Sequence, residues 1–307
     1  MEESVAAPGR TKAILRQRNL VLKEAWGQNF LVDANLARKI VRLAEITPEE
    51  VVVEIGPGIG ALTQELAKVA GLVLAIEKDE RLLPVLAEIL AEAGNVKIVS
   101  GDALKADFDG LVAEALKIED RGRLPRYKIV ANLPYYITTP LLFHLLEGGF
   151  CISSMVLMVQ KEVGKRLQAA PGSKEYGALT VAVNYYAEVE VLVHVPRTVF
   201  WPRPEVDSVV LRSKIRDKPV VDAQPEALFR IVRAAFGRRR KTILNALGAL
   251  GLPREFIAKA LVDAGIDPGR RGETLSLQEF ARLANCLEQQ KEGAGSELLY
   301  QSHQGPS

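Results

Sequence analysis

Short apolar runs alternate with amphipathic segments along the first half of the chain. Runs rich in Val, Ile and Leu, each short enough to be a buried strand, occupy residues 51–55, 72–76, 96–99, 127–132 and 154–160. Between them, segments such as "GALTQELAKVA" carry apolar residues at helical spacing. Strands that alternate with helices predict an α/β domain with a mostly parallel, doubly wound sheet. Such a sheet binds ligands beyond the carboxyl ends of its strands.

The pattern then changes towards the C-terminus. "EVEVLVHV" and "VDSVVLRSKI" are strand-like and are joined by a Pro-rich segment, so we expect a β-hairpin that completes a seven-stranded sheet. From about residue 220 the apolar spacing is helical throughout. We therefore expect a basic N-terminal arm, an α/β domain, an all-helical domain and a disordered polar tail, at residues 1–24, 25–215, 216–287 and 288–307.

Composition narrows the class of protein. The chain has 307 residues, of which 48% are hydrophobic and 25% charged, enough for one large and one smaller globular domain. No apolar run approaches the roughly 18 residues of a membrane span, and the acidic start does not match a secretory signal. Two cysteines and three scattered histidines suit neither a disulfide framework nor a zinc site. We expect a reduced, metal-free, cytoplasmic protein, and a monomer.

Charge is spread unevenly along the chain. The net charge is +2, but residues 212–287 contain 15 Lys and Arg against 8 Asp and Glu. This excess indicates either a polyanionic partner or a solvated basic surface. Four consecutive cations, Arg238, Arg239, Arg240 and Lys241, precede "TILNAL", and we expect them to form the first turn of one helix. Because cations oppose the dipole at a helix N-terminus, an anionic partner becomes the better explanation.

A glycine-rich loop carries the first ligand signal. "EIGPGIGA", residues 54–61, lies between a predicted strand and a predicted helix, and Gly56, Gly58 and Ala61 satisfy the dinucleotide-binding spacing. Glu77 ends the next strand 21 residues after Gly56, where a carboxylate can hold ribose hydroxyls. The pattern predicts a cofactor that contains a nucleoside; a tight strand-to-helix turn is the alternative.

Two further carboxylates favour a positively charged cofactor. Glu54 lies within the first strand, two residues before Gly56, and suits a cation better than a pyrophosphate. Asp102 ends the third strand, where it could accept a hydrogen bond from an adenine amino group or cap a helix. Adenosine attached to a cation describes S-adenosylmethionine. A nicotinamide cofactor remains the alternative.

The tetrapeptide "NLPY", residues 132–135, follows the fourth strand. If the Asn132 oxygen and the main-chain carbonyl of Leu133 accept both N–H hydrogens of an aromatic amine, its nitrogen can become pyramidal and attack an electrophile. Pro134 fixes the backbone beside that carbonyl. Tyr135 offers a face on which a base could stack. These residues predict a clamp for adenine N6; a polar loop with proline is the alternative.

Together these motifs closely resemble those of the ribosomal RNA adenine N6,N6-dimethyltransferases, in particular the bacterial small-subunit enzymes associated with kasugamycin sensitivity. The resemblance covers roughly residues 16–285. Besides the motifs above, it includes "GQNFLVD", "YGALTV", "VFWPRPEVDSVV" and "RRKTILNAL". It implies a Rossmann-like class I methyltransferase fold with a smaller C-terminal helical domain that binds RNA.

The resemblance also implies roles for particular residues. The reacting groups would be Asn132, Leu133, Pro134, Tyr135 and Phe200, with Phe200 as a second aromatic face for a flipped adenine. The cofactor would be bound by Gln28, Asn29, Leu31, Gly56, Gly58, Glu77, Lys78, Asp102, Ala103 and Asn132. The RNA would be bound by Arg238, Arg239, Arg240 and Lys241. No role is assigned to Trp201.

The resemblance implies dimethylation of two adjacent adenines near the 3′ end of 16S rRNA, with S-adenosylmethionine as methyl donor, during ribosome biogenesis. Three alternatives remain open. The protein could methylate large-subunit rRNA, as macrolide-resistance enzymes do, although "NLPY" and "FWPRPEVDS" favour the small subunit. It could act chiefly as a ribosome-assembly binding factor. It could also be a nicotinamide oxidoreductase.

Overall fold

The computed structural model describes residues 4–18, 20 and 28–302, with side chains described as far as residue 290. The chain divides into two compact units. The first unit comprises Met1–Gly164 and Ala187–Ile215, and the second comprises Lys165–Tyr186 and Arg216–Ser307.

The first unit is built on a β-sheet. In the described part of the chain the strands are β1 (Phe30–Leu31), β2 (Val51–Ile55), β3 (Leu72–Glu77), β4 (Val96–Ser100), β5 (Tyr127–Asn132), β6 (Ile152–Gln160), β7 (Ala187–Val195), β8 (Phe200–Trp201) and β9 (Ser208–Ile215). Seven of them form one sheet in the order β4-β3-β2-β5-β6-β9-β7, and β1 pairs with β8 in a separate antiparallel ribbon. The five strands β2 to β6 run parallel, whereas β9 is antiparallel to both β6 and β7. The predicted α/β fold, with its mostly parallel seven-stranded sheet, is confirmed.

The strand order places a ligand site at one edge of this sheet. All five residues of β2 are buried, as expected for a strand that is covered on both faces and reads as a continuous apolar run. Strands β3 and β4 lie on one side of β2, and β5 and β6 lie on the other. The strand order therefore reverses between β2 and β5, and a crevice opens beyond the carboxyl ends of the strands at such a switch point.

Helices of the first unit flank the sheet. They are α1 (Pro8–Gln17), α2 (Ala34–Leu43), α3 (Thr63–Leu66), α4 (Leu83–Ile89), α5 (Phe108–Leu116) and α6 (Thr138–Glu147). Asp33 caps α2 by accepting the N–H of Leu36 at 3.0 Å. A further helix, α7 (Lys161–Leu167), begins in the first unit and ends in the second.

The expected basic arm contains a packed helix. Leu15 of α1 is buried, and Val5 donates its backbone N–H to Gln64 Oε1 at 3.1 Å. Apolar residues of this segment thus belong to the core of the first unit. Residues 1–3, 19 and 21–27, which complete the predicted arm, lie outside the described residues.

The second unit is helical. It contains α8 (Ala178–Tyr186), α9 (Pro225–Gly237), α10 (Ile243–Leu247), α11 (Arg254–Asp263) and α12 (Leu277–Ser302). We expected residues 165–186 in the α/β domain, but they group with these helices, because two of their tyrosines form hydrogen bonds with other residues of the second unit. Tyr176 donates its hydroxyl to the Leu275 carbonyl at 2.8 Å, and Tyr185 donates to the Ala223 carbonyl at 3.0 Å.

The last helix also differs from expectation. We predicted a disordered tail from residue 288, but α12 continues to Ser302. Residues 288–302 include three Glu, three Gln and two Leu, residue types that favour helix once an apolar first half has packed. Residues 303–307 lie outside the described part of the chain.

None of the helices in the described part of the chain combines the length and the apolar character of a membrane span. Within the same residues, no group of three or more His, Cys, Asp or Glu side chains is arranged to hold a metal ion.

Candidate active site at the carboxyl edge of the sheet

The glycine-rich loop after β2 forms the floor of a cleft. Gly56 and Gly58 have φ angles of +68° and +61°, a backbone conformation that favours glycine. A Cβ atom on Gly58 would lie 2.9 Å from Cε1 of Phe30, and one on Gly56 would lie 3.8 Å from Cδ of Pro134. The loop is therefore packed between β1 and the "NLPY" segment, and it has no room for a side chain at position 58.

Glu77, at the end of β3, holds this loop in place. Its Oε2 accepts the N–H of Gly58 at 3.1 Å, and its Oε1 accepts the N–H of Asp79 at 2.7 Å. The side chain is buried, and this burial raises the pKa of Glu77, while the two backbone donors favour the ionised form. Each carboxylate oxygen keeps a second acceptor site, so the group can also receive ligand hydroxyls.

Asp102 lies after β4 and accepts two hydrogen bonds. Lys78 Nζ is 2.8 Å from its Oδ2, and the N–H of Leu104 donates to its Oδ1 at 3.1 Å. The hydrogen bond from Lys78 lowers the pKa of this carboxyl, so it is ionised at neutral pH. Asp102 thus turns the backbone locally and presents a carboxylate to the cleft. The alternative that it caps a helix was wrong, because the next helix, α5, begins only at Phe108 and is capped by Asp107.

Asp79 is a site residue that the sequence reasoning missed. Gln28 donates Nε2 to its Oδ2 at 3.0 Å, and Arg81 donates to the same oxygen at 2.6 Å. The Arg81 guanidinium holds the pKa of Asp79 at about 2. Asp79 therefore orients Gln28 at the cleft. Its position two residues after Glu77 was the only available signal, because the contact with Gln28 spans 51 residues.

The amide of Asn132 is oriented by a residue far away in sequence. Asn132 donates Nδ2 to the main-chain carbonyl of Asn29 at 3.1 Å. Because a carbonyl can only accept, the other end of the amide, Oδ1, remains an acceptor. Leu133 continues the sheet by donating its N–H to the Met158 carbonyl at 3.1 Å, and Pro134 follows with φ −58°. The sheet thus fixes the "NLPY" segment up to the point where the chain turns.

The two predicted aromatic faces differ in placement. Tyr135 lines the cleft, and its hydroxyl lies 3.0 Å from Ser208 Oγ. Phe200 is only 3% exposed and does not line the cleft, because β8 pairs with β1 and turns the ring into the core. In this structure Phe200 offers no open face to a base. Its neighbour Trp201 is covered by Lys12, whose Nζ lies 5.9 Å from the ring centroid.

One cleft brings together all the other residues predicted to react or to bind the cofactor. It encloses about 970 Å³ of space, part of it open to solvent. The predicted residues that line it are Gln28, Asn29, Leu31, Gly56, Gly58, Glu77, Lys78, Asp102, Ala103, Asn132, Leu133, Pro134 and Tyr135. With carboxylates at three strand ends and no space for a side chain on the loop, the arrangement fits an adenosine derivative.

Glu54 also lines the cleft and is almost completely buried. Its Oε2 accepts no hydrogen bond of ordinary geometry from the described residues. Burial raises the pKa of Glu54 to about 8; the nearby Thr63 hydroxyl opposes this rise, and the charge of Glu77 adds to it. A buried carboxyl without a cationic partner among the described residues suits a cationic ligand, as the sequence suggested.

The four consecutive cations of the second unit follow a helix instead of starting one. Helix α9 ends at Gly237, and α10 begins only at Ile243, with the Thr242 side chain accepting the N–H of Asn245 as its cap. The prediction of a basic first turn was wrong, because Thr242 is the better capping residue. Cations beyond the C-terminal end of a helix are favoured by its dipole.

All four of these cations are exposed, but Arg239 is engaged by neighbouring groups. Arg239 forms an ion pair with Glu273 and donates to the Lys174 carbonyl at 2.6 Å. Exposed cations adjoin it at Arg238, Arg240 and Lys241. Arg271, which the sequence reasoning missed, is also exposed and forms a β-bridge with Thr242. We name Arg238, Arg240, Lys241 and Arg271 the basic cluster.

Comparison with known proteins gives a consistent result. The family profile described as "Ribosomal RNA adenine dimethylase" matches residues 19–289. A relative from Moorella thermoacetica, named ribosomal RNA small subunit methyltransferase A, is 60% identical over 287 residues, covering 93% of this chain and 99% of the relative. A relative with the same name from Geobacillus kaustophilus is 51% identical, covering 94% and 98%.

Solved structures are similar as well. A dimethyladenosine transferase from Plasmodium falciparum has a TM-score of 0.68 and 27% identity, covering 85% of this chain and 97% of that one. The 23S rRNA methyltransferase ErmE has a TM-score of 0.60 and 28% identity, covering 84% and 99%.

Replacing Gly58 by Ala is expected to weaken cofactor binding by about 5- to 150-fold. The added Cβ would meet Phe30, and the positive φ would be strained, at a cost on the order of 1–3 kcal/mol. Titration calorimetry with S-adenosylmethionine measures the effect. Gly94→Ala is the matched control, since no atom lies within 4 Å of its added Cβ. Equal affinity of Gly58→Ala and the parent would contradict this account of the loop.

Proposed function

The chain belongs to the ribosomal RNA adenine dimethylase family, and from that premise we propose that it dimethylates N6 of two adjacent adenines near the 3′ end of 16S rRNA. It is a methyltransferase. The observation that carries the proposal is the position of the Asn132 amide oxygen in a cleft that also contains Glu77 and Asp102.

We assign S-adenosylmethionine as the methyl donor. Glu77 would accept the ribose hydroxyls and Asp102 the adenine amino group, with Lys78 and Ala103 beside it. Gln28, Asn29 and Leu31 would contact the methionine end of the cofactor. When bound, this cofactor supplies a methyl group on a sulfonium sulfur, ready for in-line displacement. The residues fit it because the cleft combines acceptors for adenosine with the buried carboxyl of Glu54.

Asn132 and Leu133 would prepare the adenine amine for attack. The Asn132 Oδ1 and the Leu133 carbonyl accept its two N–H hydrogens, which draws the nitrogen out of conjugation with the ring. Pro134 holds the second carbonyl in place, and Tyr135 stacks on the base. Correct positioning of the amine and electrostatic stabilisation of the transition state would supply most of the rate enhancement, so the site does not need a strong base. The target adenine must leave its stack to enter the cleft.

The helical unit would bind the RNA backbone. The basic cluster offers exposed cations to phosphates, while Arg239 is held by Glu273 and supports the turn. Arg270 supports the neighbouring segment, since it pairs with Glu279 and holds the pKa of that carboxyl at about 2. Such contacts position RNA without reading its sequence.

The small ribosomal subunit is the substrate we favour. Relatives at 60% and 51% identity carry a small-subunit name, whereas the structurally similar 23S rRNA enzyme is 28% identical. A small-subunit enzyme would act in the cytoplasm during ribosome biogenesis, and we propose that it does so as a monomer.

Methyl transfer from labelled S-adenosylmethionine to isolated ribosomal subunits that lack the modification tests the proposal. We expect N6,N6-dimethyladenosine in small-subunit rRNA. Asn132→Ala should lower the rate at least about 100-fold, because it removes one acceptor of the reacting amine, and should leave subunit binding intact. Asn35→Ala, at an exposed position of α2, is the matched control.

Two outcomes would contradict this substrate or role. Label confined to large-subunit rRNA would support the proposed reaction but would assign the protein to the enzymes that methylate the large subunit. Absence of label in both subunits, despite cofactor binding, would favour the binding-factor alternative.

Neutralising the basic cluster should weaken RNA binding and make it less sensitive to salt. Replacing Arg238, Arg240 and Lys241 by Gln is expected to reduce the slope of log K against log salt concentration by about 2 to 3. Filter binding to a 16S rRNA fragment at several salt concentrations measures the slope. Lys259→Gln, at an exposed position of α11, is the control. An unchanged slope in the triple variant would contradict the proposal that these cations contact RNA phosphates.

A further inference from the structure

Glu54 of β2 lines the cleft and lies between two neighbouring strands of the sheet. In the register of the sheet it pairs with Ala75 of β3 on one side and with Val130 of β5 on the other. Directly paired residues project from the same face of a sheet, and so do residues two apart along a strand. Glu54 therefore shares its face with Glu77, two residues beyond Ala75, and with Asn132, two residues beyond Val130.

The groups that act on Glu54 leave its negative charge unbalanced. The Thr63 hydroxyl on α3 acts on the carboxyl and lowers its pKa, but it carries no charge, and the nearby charge is the like charge of Glu77. The cations in and beside the cleft are engaged with other acids: Lys78 with Asp102, and Arg81 with Asp79. An ionised Glu54 thus needs a positive charge from a ligand, whereas a protonated Glu54 does not.

The protonated form prevails at neutral pH in the absence of such a ligand. Burial and the charge of Glu77 raise the pKa of Glu54 to about 8. About nine-tenths of the molecules then carry the proton at pH 7. A cation placed near the carboxyl would lower this pKa, and the proton would leave to solvent. Binding of a cation should therefore tighten as the pH rises towards 8 and level off above it.

We propose that Glu54 is a proton-linked counter-ion that makes the cleft prefer the positively charged methyl donor to its neutral thioether product. The proposal rests on the proposed function, because it takes S-adenosylmethionine as the donor. In the transfer, the bond from sulfur to the methyl carbon breaks and its electron pair stays on sulfur. A bond forms from adenine N6 to that carbon, and N6 loses a proton to solvent.

The charge that stabilised the Glu54 carboxylate disappears in this step. Glu54 then takes a proton back from solvent and holds the product less strongly. The same carboxyl would therefore favour binding of the donor and release of the product.

Calorimetric titration of the unaltered protein at pH 7, in buffers of different ionisation enthalpy, measures the protons released on binding. We expect up to about 0.9 proton for S-adenosylmethionine and clearly fewer for S-adenosylhomocysteine. Both ligands carry the same α-amino group, so its own titration near pH 8 cancels in the comparison.

Glu54→Gln should abolish the difference in proton release between S-adenosylmethionine and S-adenosylhomocysteine. It should also lower the ratio of their affinities, donor over product, about tenfold at pH 8.5. The amide preserves the size of the side chain but cannot titrate. Glu65→Gln is the matched control: Glu65 is buried on α3, pairs with Lys68 and lies outside the cleft lining. It should keep the proton release of the parent protein.

Equal proton release with both ligands in the unaltered protein would overturn the proposal, whether or not the variants fold. Binding of S-adenosylmethionine without proton release would also overturn it and would leave the proposed methyl transfer standing. Failure of S-adenosylmethionine to bind would overturn the proposed function itself, and this proposal with it.

Discussion

The carboxylate of Glu77 is the constraint on which the cleft depends. By accepting the N–H groups of Gly58 and Asp79, it ties the loop after β2 to the end of β3. That tie sets the loop against Phe30 on one side and Pro134 on the other. The same group that would hold the cofactor's ribose thus also shapes the floor beneath it, so binding and local folding rest on one buried charge.

Electrostatics divide the acids at the cleft into two classes. Asp102, which lines the cleft, and Asp79, which holds Gln28 beside it, are paired with Lys78 and Arg81, and these cations keep both carboxylates ionised. Glu54 has no such cation, and burial favours its neutral form. In the proposed arrangement the cleft offers fixed negative charge where adenosine would bind and a titratable carboxyl where the charge of the cofactor would change during transfer.

Much of this arrangement could be predicted from the sequence because it follows from local patterns and one topological rule. Apolar runs predicted the strands, and parallel strands bring the acids that follow them to one edge, which placed Glu77 and Asp102 together. Contacts between distant segments could not be read in this way. Arg271 reaches the basic cluster through a bridge to Thr242. Phe200 is buried because two short strands pair.

A crystal structure of the protein with S-adenosylhomocysteine tests the central claim most directly. The account predicts ribose hydroxyls on Glu77, the adenine amino group on Asp102, and the sulfur directed towards Asn132 Oδ1. The cofactor bound in the reverse direction, or outside this cleft, would contradict it.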